Sequence, residues 1–271
     1  MTFDPEAVRE FERAGWNKAA ATYESAFATA TRCFIPALLD AAGVTAGRRV
    51  LDIACGPGVV TAAAAERGAA ATGLDFAPAM LALARTRHPA LMFDQGDAET
   101  LPCPDASFDA VVSNFGIHHV PRPALALREA LRVLRPGSHL AFTIWAAPAD
   151  NLAWKLLFDA IARRGDMAAS DAPPPGGGFA TGAACEAALA EAGAAAIETR
   201  TERALWRHAD AASLLRAFQT GTARMAALIA AQDPASLPAI AADIAAAAAP
   251  YRDAGGLAVP IAAIVASGVK R

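Results

Sequence analysis

The sequence predicts an α/β fold, with a mostly parallel sheet of seven strands, helices on both faces and a helical lid. The strongest observation is the stretch 50–58, where an apolar run containing one acid ends in a Gly-Pro-Gly loop. Such a run is typical of a buried strand that turns at once into a helix. Further short apolar runs alternate with helical stretches, which is the pattern of repeated strand–helix–strand units.

The glycine loop predicts a nucleoside site. Gly56 and Gly58 carry no Cβ, so the main chain can approach a ligand, and the first amides of a helix predicted over 62–67 face the same space. Asp52 is costly to bury unless its oxygens are hydrogen-bonded, and we expect it to hold loop amides or a bound ammonium group. Thr61 stands where a dinucleotide fingerprint needs a third glycine, and no Gly-Lys-Ser/Thr follows. The loop therefore favours a nucleoside without pyrophosphate.

The run LDIACGPG at 51–58 resembles the first motif of the class I S-adenosylmethionine-dependent methyltransferases. LRVLRPG at 131–137 also resembles that family, nearest to the small-molecule enzymes that include those of ubiquinone and menaquinone biosynthesis. The resemblance covers most of the chain. It implies the Rossmann-like class I methyltransferase fold, S-adenosyl-L-methionine as cofactor and S-adenosyl-L-homocysteine as product.

Length and composition favour one domain over 1–271, with an N-terminal helical cap at about 1–45 and a helical lid insertion at about 209–250. The net charge of −3 and the absence of a basic patch argue against a nucleic-acid partner. The four cysteines are widely spaced, which disfavours zinc and disulfides and fits a reducing cytoplasm. The apolar stretches are too short for membrane insertion, so we expect a soluble, cytoplasmic protein.

Asp4 before Pro5 predicts the start of a short helix, and 17–42 predicts further helix closed by Gly43. In the resembled family the leading segment packs across the cofactor mouth. Tyr23 is thus either a wall of that site or a core aromatic.

Two acids lie at or just after the carboxyl ends of the next two predicted strands, 71–75 and 91–93. Asp75 lies at a carboxyl strand end, where it can accept both ribose hydroxyls or cap a helix. In the resembled family, an acid at the position of Asp97 accepts the adenine amino group, and the next amide, here that of Ala98, donates to the ring. The alternative for Asp97 is a turn-forming role. Met80 lies above the nucleoside or simply packs.

A fourth strand over 110–113 leads into Asn114-Phe115-Gly116-Ile117-His118-His119-Val120. Ligands of open parallel sheets bind at the carboxyl strand ends, so Asn114 and the Phe115 backbone should line the methionyl part. His118 is the predicted catalytic base, ahead of His119, and the alternative is that both only brace the loop before Pro121. Two adjacent histidines without a carboxylate or cysteine at ligand spacing make a weak metal site, so no metal is predicted. The predicted cofactor-binding residues are Tyr23, Asp52, Ala54, Gly56, Gly58, Asp75, Phe76, Met80, Asp97, Ala98, Asn114 and Phe115.

The second half predicts further elements in order. The apolar rhythm of 127–134 predicts a helix that Pro136-Gly137 stops. The further predictions are strands at 139–145, 197–206 and within 257–269, helices at 151–165 and 185–192, and an irregular loop at 173–178 over the pocket.

We expect the lid insertion to shape the acceptor pocket. Its first helix carries an apolar stripe, and the run 218–224 breaks the helical pattern. Phe218 or Arg224 could contact substrate, dock the lid or form a homodimer contact. The apolar stripe comprises Leu214, Phe218, Met225, Leu228 and Ile229.

The apolar residues Trp154, Phe158, Phe218 and Met225 favour a small, flat acceptor. The predicted function is methyl transfer to a small aromatic or heterocyclic acceptor, by N- or O-methylation in secondary metabolism. The alternatives are C-methylation of a quinone precursor and a non-catalytic S-adenosylmethionine-binding protein. An NAD-dependent oxidoreductase is disfavoured by the missing third glycine.

Overall fold

The structure, a computed structural model, describes residues 3–174, 179 and 181–271. The helices of that part are α1 Pro5–Tyr23, α2 Ala28–Thr31, α3 Ile35–Ala41, α4 Val59–Glu66, α5 Pro78–Arg87, α6 Pro123–Val133, α7 Leu152–Arg164, α8 Gly182–Ala192, α9 Ala211–Gly221, α10 Arg224–Ala230 and α11 Leu237–Ala248. The strands are β1 Arg49–Ile53, β2 Ala70–Asp75, β3 Met92–Gln95, β4 Phe108–Asn114, β5 Leu134–Trp145, β6 Ala194–His208, β7 Arg252–Asp253 and β8 Gly256–Lys270. The predicted loop at 173–178 lies mostly outside the described residues.

One mostly parallel sheet organises the chain. Its strand order is β3-β2-β1-β4-β5-β8-β6, and the two-residue β7 pairs with β8. Strands β1 to β5 pair in parallel, whereas β8 runs antiparallel to both β5 and β6. The predicted α/β architecture is confirmed, and β7 is the strand beyond the seven expected. The strand order reverses beside β1, so β1 and β4 flank a crevice at their carboxyl ends.

The helix that follows strand β1 begins earlier than predicted. Gly58 adopts φ +82 and is the N-cap of α4, so the helix starts at Val59 rather than at residue 62. The left-handed conformation turns the chain in one residue, which glycine permits without a steric penalty.

Three other boundaries correct the sequence predictions. The N-terminal helix is not short, because α1 continues for 19 residues through position 17 and ends at Tyr23. Helix α6 ends at Val133, before the Pro136-Gly137 pair that was expected to stop it, and strand β5 begins at Leu134 rather than at residue 139. A register shift between the Phe108 and Ala110 pairings accommodates the extra residues. The lid stripe is divided between α9 and α10, so Phe218 lies within α9.

The lid packs on the sheet through an aromatic core. Phe27, Trp154, Trp206 and Phe218 belong to one buried cluster with residues of α7, α9, α10 and α11. Helix α1 also reaches the lid, since a Cβ added at Gly15 would lie 2.5 Å from the Cβ of Ala223. Among the described residues, no helix has both the length and the apolar character needed to cross a bilayer.

Candidate cofactor and acceptor site

A cavity of about 720 Å³ opens at the carboxyl ends of β1, β2 and β4, beneath α1. Ten of the twelve residues predicted to bind cofactor line it: Tyr23, Ala54, Gly56, Asp75, Phe76, Met80, Asp97, Ala98, Asn114 and Phe115. Asp52 and Gly58 are not among its lining residues. Arg9, Trp16 and His119 also line it, and the sequence reasoning assigned none of them to the cofactor cavity. Their contribution depends on the packing of α1 over the sheet, which local sequence patterns do not encode.

Asp75 ends β2 with its carboxylate buried in the cavity wall. Its two oxygens accept the amides of Gly56 and Ala77, each at 2.8 Å. Burial raises the pKa of Asp75 to about 6, against the opposing effect of the backbone amides. A carboxylate oxygen has a second lone pair, so Asp75 can hold the glycine loop, cap the start of α5 and still accept ligand hydroxyls.

Asp97 also lines the cavity, and both of its carboxylate oxygens accept hydrogen bonds within the protein. Its Oδ1 accepts the amide of Glu99 at 2.8 Å, which is the turn-forming arrangement considered above. Its Oδ2 accepts Arg9 Nε at 2.9 Å, and Arg9 Nη2 donates to the buried Glu99 at 2.8 Å. Helix α1 is thereby fastened to the rim that the resemblance assigns to adenine.

The two loop glycines have different structural roles. At Gly56, with φ +54, an added Cβ would meet only Met80 Sδ at 4.0 Å, so the space toward the cavity is open. At Gly58 an added Cβ would lie 2.7 Å from the ring of Phe93. Gly58 therefore permits helix packing, whereas Gly56 permits close approach of a ligand.

Two residues of the cavity wall have left-handed backbones although they are not glycine. Ala54 follows β1 with φ 55, and Phe115 follows β4 with φ 58. This conformation costs an alanine or aromatic residue roughly 1–2 kcal/mol. Strain held at the ends of the two strands that flank the crevice is typical of a ligand site.

Asp52 stands behind the cavity instead of lining it. Its Oδ2 accepts the Thr61 hydroxyl at 2.7 Å, while Oδ1 is buried with no hydrogen-bond partner among the described residues. Burial raises its pKa to about 7; the Thr61 hydrogen bonds lower it in part, and the charge of Asp75 raises it further. Asp52 was expected to hold loop amides or a bound ammonium group; its side chain accepts the Thr61 hydroxyl, and the ammonium alternative stays a prediction.

Asn114 connects three elements at the cavity floor. Its Oδ1 accepts the Thr143 hydroxyl at 2.6 Å, and its Nδ2 donates to the carbonyl of Thr31 at 3.1 Å. The amide of Phe115 in turn donates to Thr143 Oγ1 at 2.9 Å. These bonds fix the backbone after β4 in its strained conformation.

A second cavity of about 1000 Å³ adjoins the first and has largely aromatic walls. Phe115 stacks on Trp145 with ring centroids 3.8 Å apart, and Trp145 packs on Trp154 at 4.3 Å. His118, Arg224 and Met225 also line this cavity, whereas Phe158 and Phe218 pack behind it. Trp16, Tyr23, Phe115 and His119 line both cavities.

A buried polar cluster, formed by Glu12, Trp16, His119 and Arg224, occupies the junction of the two cavities. Glu12 is fully buried and accepts Trp16 Nε1 at 3.0 Å and Arg224 Nε at 2.6 Å. His119 Nδ1 lies 3.0 Å from Glu12 Oε2. Burial would raise the pKa of Glu12, but His119 and Arg224 outweigh it and lower that pKa. Removing one partner of such a pair would leave an uncompensated buried charge, which costs about 3–5 kcal/mol of stability.

The residues of the first cavity fit an adenosyl ligand. The cavity has a carboxylate at a strand end and an open glycine backbone beside it. Within the described part of the chain, no three histidine, cysteine or acidic side chains form a metal-binding group.

Comparison with known proteins agrees with this geometry. Residues 51–142 match the family described as a methyltransferase domain. The chain is 41% identical over 118 residues to the demethylmenaquinone methyltransferase of Renibacterium salmoninarum, covering 44% of this chain and 50% of that protein. It is 39% identical over 152 residues to the ubiquinone/menaquinone biosynthesis C-methyltransferase UbiE of Roseobacter denitrificans, covering 52% of this chain and 61% of that one.

A solved structure from Thermotoga maritima, described as an S-adenosylmethionine-dependent methyltransferase and possible histamine N-methyltransferase, aligns with a TM-score of 0.58. It is 17% identical and the alignment covers 95% of this chain and 99% of that one, which is a likeness of fold. The chain spans about half the length of the first curated relative. These matches support S-adenosyl-L-methionine as the cofactor, as predicted. Residues 51–142 therefore match a methyltransferase domain, and the chain has a Rossmann-like fold similar to that of this solved methyltransferase structure.

Proposed function

We propose that this protein transfers a methyl group from S-adenosyl-L-methionine to a small aromatic or heterocyclic acceptor, at nitrogen or oxygen. The observation that carries the proposal is the adjacency of the two cavities. The cavity lined by the Asp75 carboxylate and the open backbone of Gly56 shares four wall residues with a cavity of largely aromatic walls. A flat molecule in the second cavity would therefore lie next to the donor.

Each cavity residue has a role in this proposal. Asp75 accepts the ribose hydroxyls, Asp97 and the Ala98 amide receive the adenine, and the Gly56 backbone and Asn114–Phe115 flank the methionyl part. When bound, the cofactor supplies an activated methyl group, so the protein needs mainly to orient the acceptor and exclude water. Orientation of this kind contributes roughly 7–11 kcal/mol in well-aligned reactions. The stacked Phe115 and Trp145 provide the flat surface that would orient an aromatic ring.

C-methylation of a quinone precursor is the second candidate. It is favoured by the names of the two curated relatives described above. Those matches span about half of this chain, and several walls of the second cavity, including Arg224 and Met225, lie outside the matched domain at 51–142. We rank N- or O-methylation first because the lid contributes Arg224 and Met225 to the second cavity, and the lid lies outside the matched domain. The second cavity also argues against a protein that only binds the cofactor.

The proposal is tested first by binding and then by product analysis. Calorimetry with S-adenosylhomocysteine should show binding, and Asp75→Ala should weaken it at least tenfold, since a hydrogen bond to a charged group contributes about 1.5–3 kcal/mol. The exposed Asp94→Ala is the matched control and should bind normally.

Incubation with phenols, heteroaromatic amines and quinols, followed by mass spectrometry and NMR of the product, locates the transferred methyl. A methyl on ring carbon would select the second candidate, and no transfer to any acceptor would oppose both. The predicted homodimer through the lid, the absence of a nucleic-acid partner and the cytoplasmic location stay predictions.

A further inference from the structure

The junction of the two cavities contains one group suited to moving a proton. Of the four shared wall residues, only Tyr23 and His119 can titrate. Burial is the main cause that raises the pKa of Tyr23, so its hydroxyl stays protonated near neutral pH. The imidazole of His119 is therefore the shared side chain that can accept a proton there.

Glu12 positions this imidazole. Its carboxylate is fixed by Trp16 and Arg224 and lies 3.0 Å from His119 Nδ1, a contact at ion-pair distance that lacks hydrogen-bond geometry. The other imidazole nitrogen, Nε2, is the one we assign to a ligand. The pKa of Glu12 is lowered despite its burial, so the carboxylate is charged at neutral pH. A buried carboxylate behind an imidazole fixes its orientation and stabilises the positive charge that the ring gains with a proton.

His118 is a different kind of group, although it was the predicted base. Its ring centroid is 4.2 Å from that of His119, and it lines the second cavity alone. Burial is the main cause that lowers the pKa of His118 well below its ordinary value, and the charge of Arg224 lowers it further. His118 is thus neutral at pH 7 and a weak base, with a buried Nδ1 that has no partner among the described residues.

Resting on the proposed function, we infer that His119, positioned by Glu12, is the catalytic base, and that the acceptor is an aromatic molecule with an ionisable hydroxyl group. The hydroxyl gives its proton to His119 Nε2. The acceptor oxygen then bonds to the methyl carbon as the carbon–sulfur bond breaks, and that bond's electron pair stays on sulfur. The imidazolium returns the proton to water after product release. The charged and titratable groups that face His119 are Glu12 from α1, the adjacent His118 and Arg224 from α10.

A series of phenols with different acidities tests the base. His119→Asn should slow methylation of an unactivated phenol by about 10²–10⁴-fold, the usual contribution of a general base. The loss should fall below about tenfold for a nitrophenol that is already ionised at the assay pH. Glu12→Gln should show the same dependence on acceptor acidity with a smaller loss. His139→Asn, on β5 and outside both cavities, is the matched control and should leave both rates unchanged.

A second measurement needs no turnover. A nitrophenol bound to the protein with S-adenosylhomocysteine, at a pH below that phenol's own pKa, should show the absorbance of its ionised form. His119→Asn should abolish that spectral change while calorimetry shows that it still binds S-adenosylhomocysteine.

Three results would overturn the inference: no binding of the probe, equal ionisation in His119→Asn, or equal rate losses for all phenols. Failure of the proposed function would look different, since the wild-type protein would then bind no S-adenosylhomocysteine or methylate no acceptor.

Discussion

At the scale of single residues, two buried acids at neighbouring strand ends distinguish this site. Burial raises the pKa of Asp52 to about 7 and that of Asp75 to about 6, while Asp75 is anchored by two amides and Asp52 by one hydroxyl. In the unfolded chain both groups have ordinary values near 4. The folded protein therefore holds more protons than the unfolded chain between about pH 4 and 7.

This difference predicts how stability depends on pH. A raised folded-state pKa contributes stability that is present below pH 4 and is lost as pH rises through 6 and 7. Asp52→Asn removes one such group. Between pH 5 and pH 8 the free energy of unfolding should therefore fall by a few kcal/mol less in this variant than in the wild type. Urea denaturation at both pH values measures the effect, with the exposed Asp94→Asn as control. Identical pH dependence in Asp52→Asn and wild type would contradict the assignment.

Local sequence patterns brought several candidate residues to the same place in the structure, and their roles stay predictions. Asp75, Gly56 and Asp97 follow directly from strand ends and loop chemistry, and all three line the first cavity. Arg9 and Glu12 were not found, because a charged residue on a helix usually marks a solvated face and nothing in its local pattern reports burial. Glu12 meets Arg224 across 212 positions of the chain.

At the scale of elements, the strand–loop–helix unit that starts the domain depends on one backbone conformation. Gly58 has φ +82 and lies against Phe93 of β3, which packs with Cys55 and with residues of α5. The sequence predicted the order of strands and helices well, since apolar runs and glycine breaks are local signals. It placed the start of α4 and the end of α1 incorrectly, because alanine-rich runs continue a helix with no visible boundary.

Gly58→Ala should destabilise the fold for two reasons that a control can separate. The left-handed backbone should cost about 1–2 kcal/mol, and the contact with Phe93 a further 1–3 kcal/mol from overpacking. Gly137→Ala is the control, since Gly137 has φ +78 but nothing within 4 Å of an added Cβ. Thermal and urea denaturation should show that the Gly58→Ala variant is less stable than the Gly137→Ala variant. Equal losses of stability in the two variants would show that the contact with Phe93 does not add to the destabilisation.

At the scale of the whole molecule, α1 is the element that joins the sheet to the lid. It bonds to the rim acids through Arg9, to α5 through Asn17 and to α9 through Thr22, which donates to the carbonyl of Thr220. Gly15 also packs against Ala223 so closely that a Cβ added at Gly15 would lie 2.5 Å from the Cβ of Ala223. None of these contacts could be predicted from local periodicity, because each joins segments far apart in the chain.

Gly15→Ala should therefore loosen the lid even though alanine favours helix by about 1 kcal/mol. Hydrogen exchange should rise in α9 and α10, and the melting temperature should fall. The double variant Gly15→Ala/Ala223→Gly exchanges the two side chains across the contact and should restore slow exchange, giving a favourable coupling energy of about 0.5–3 kcal/mol. Strictly additive effects would show that the two positions do not press on each other.

The shared wall formed by α1 has a thermodynamic consequence. Trp16 and Tyr23 lie on this helix and line both cavities. A ligand that fixes the position of α1 over one cavity therefore also fixes these two side chains in the wall of the other. Donor and acceptor should then bind cooperatively. Linkage requires that the donor raise the acceptor's affinity by the same factor by which the acceptor raises the donor's.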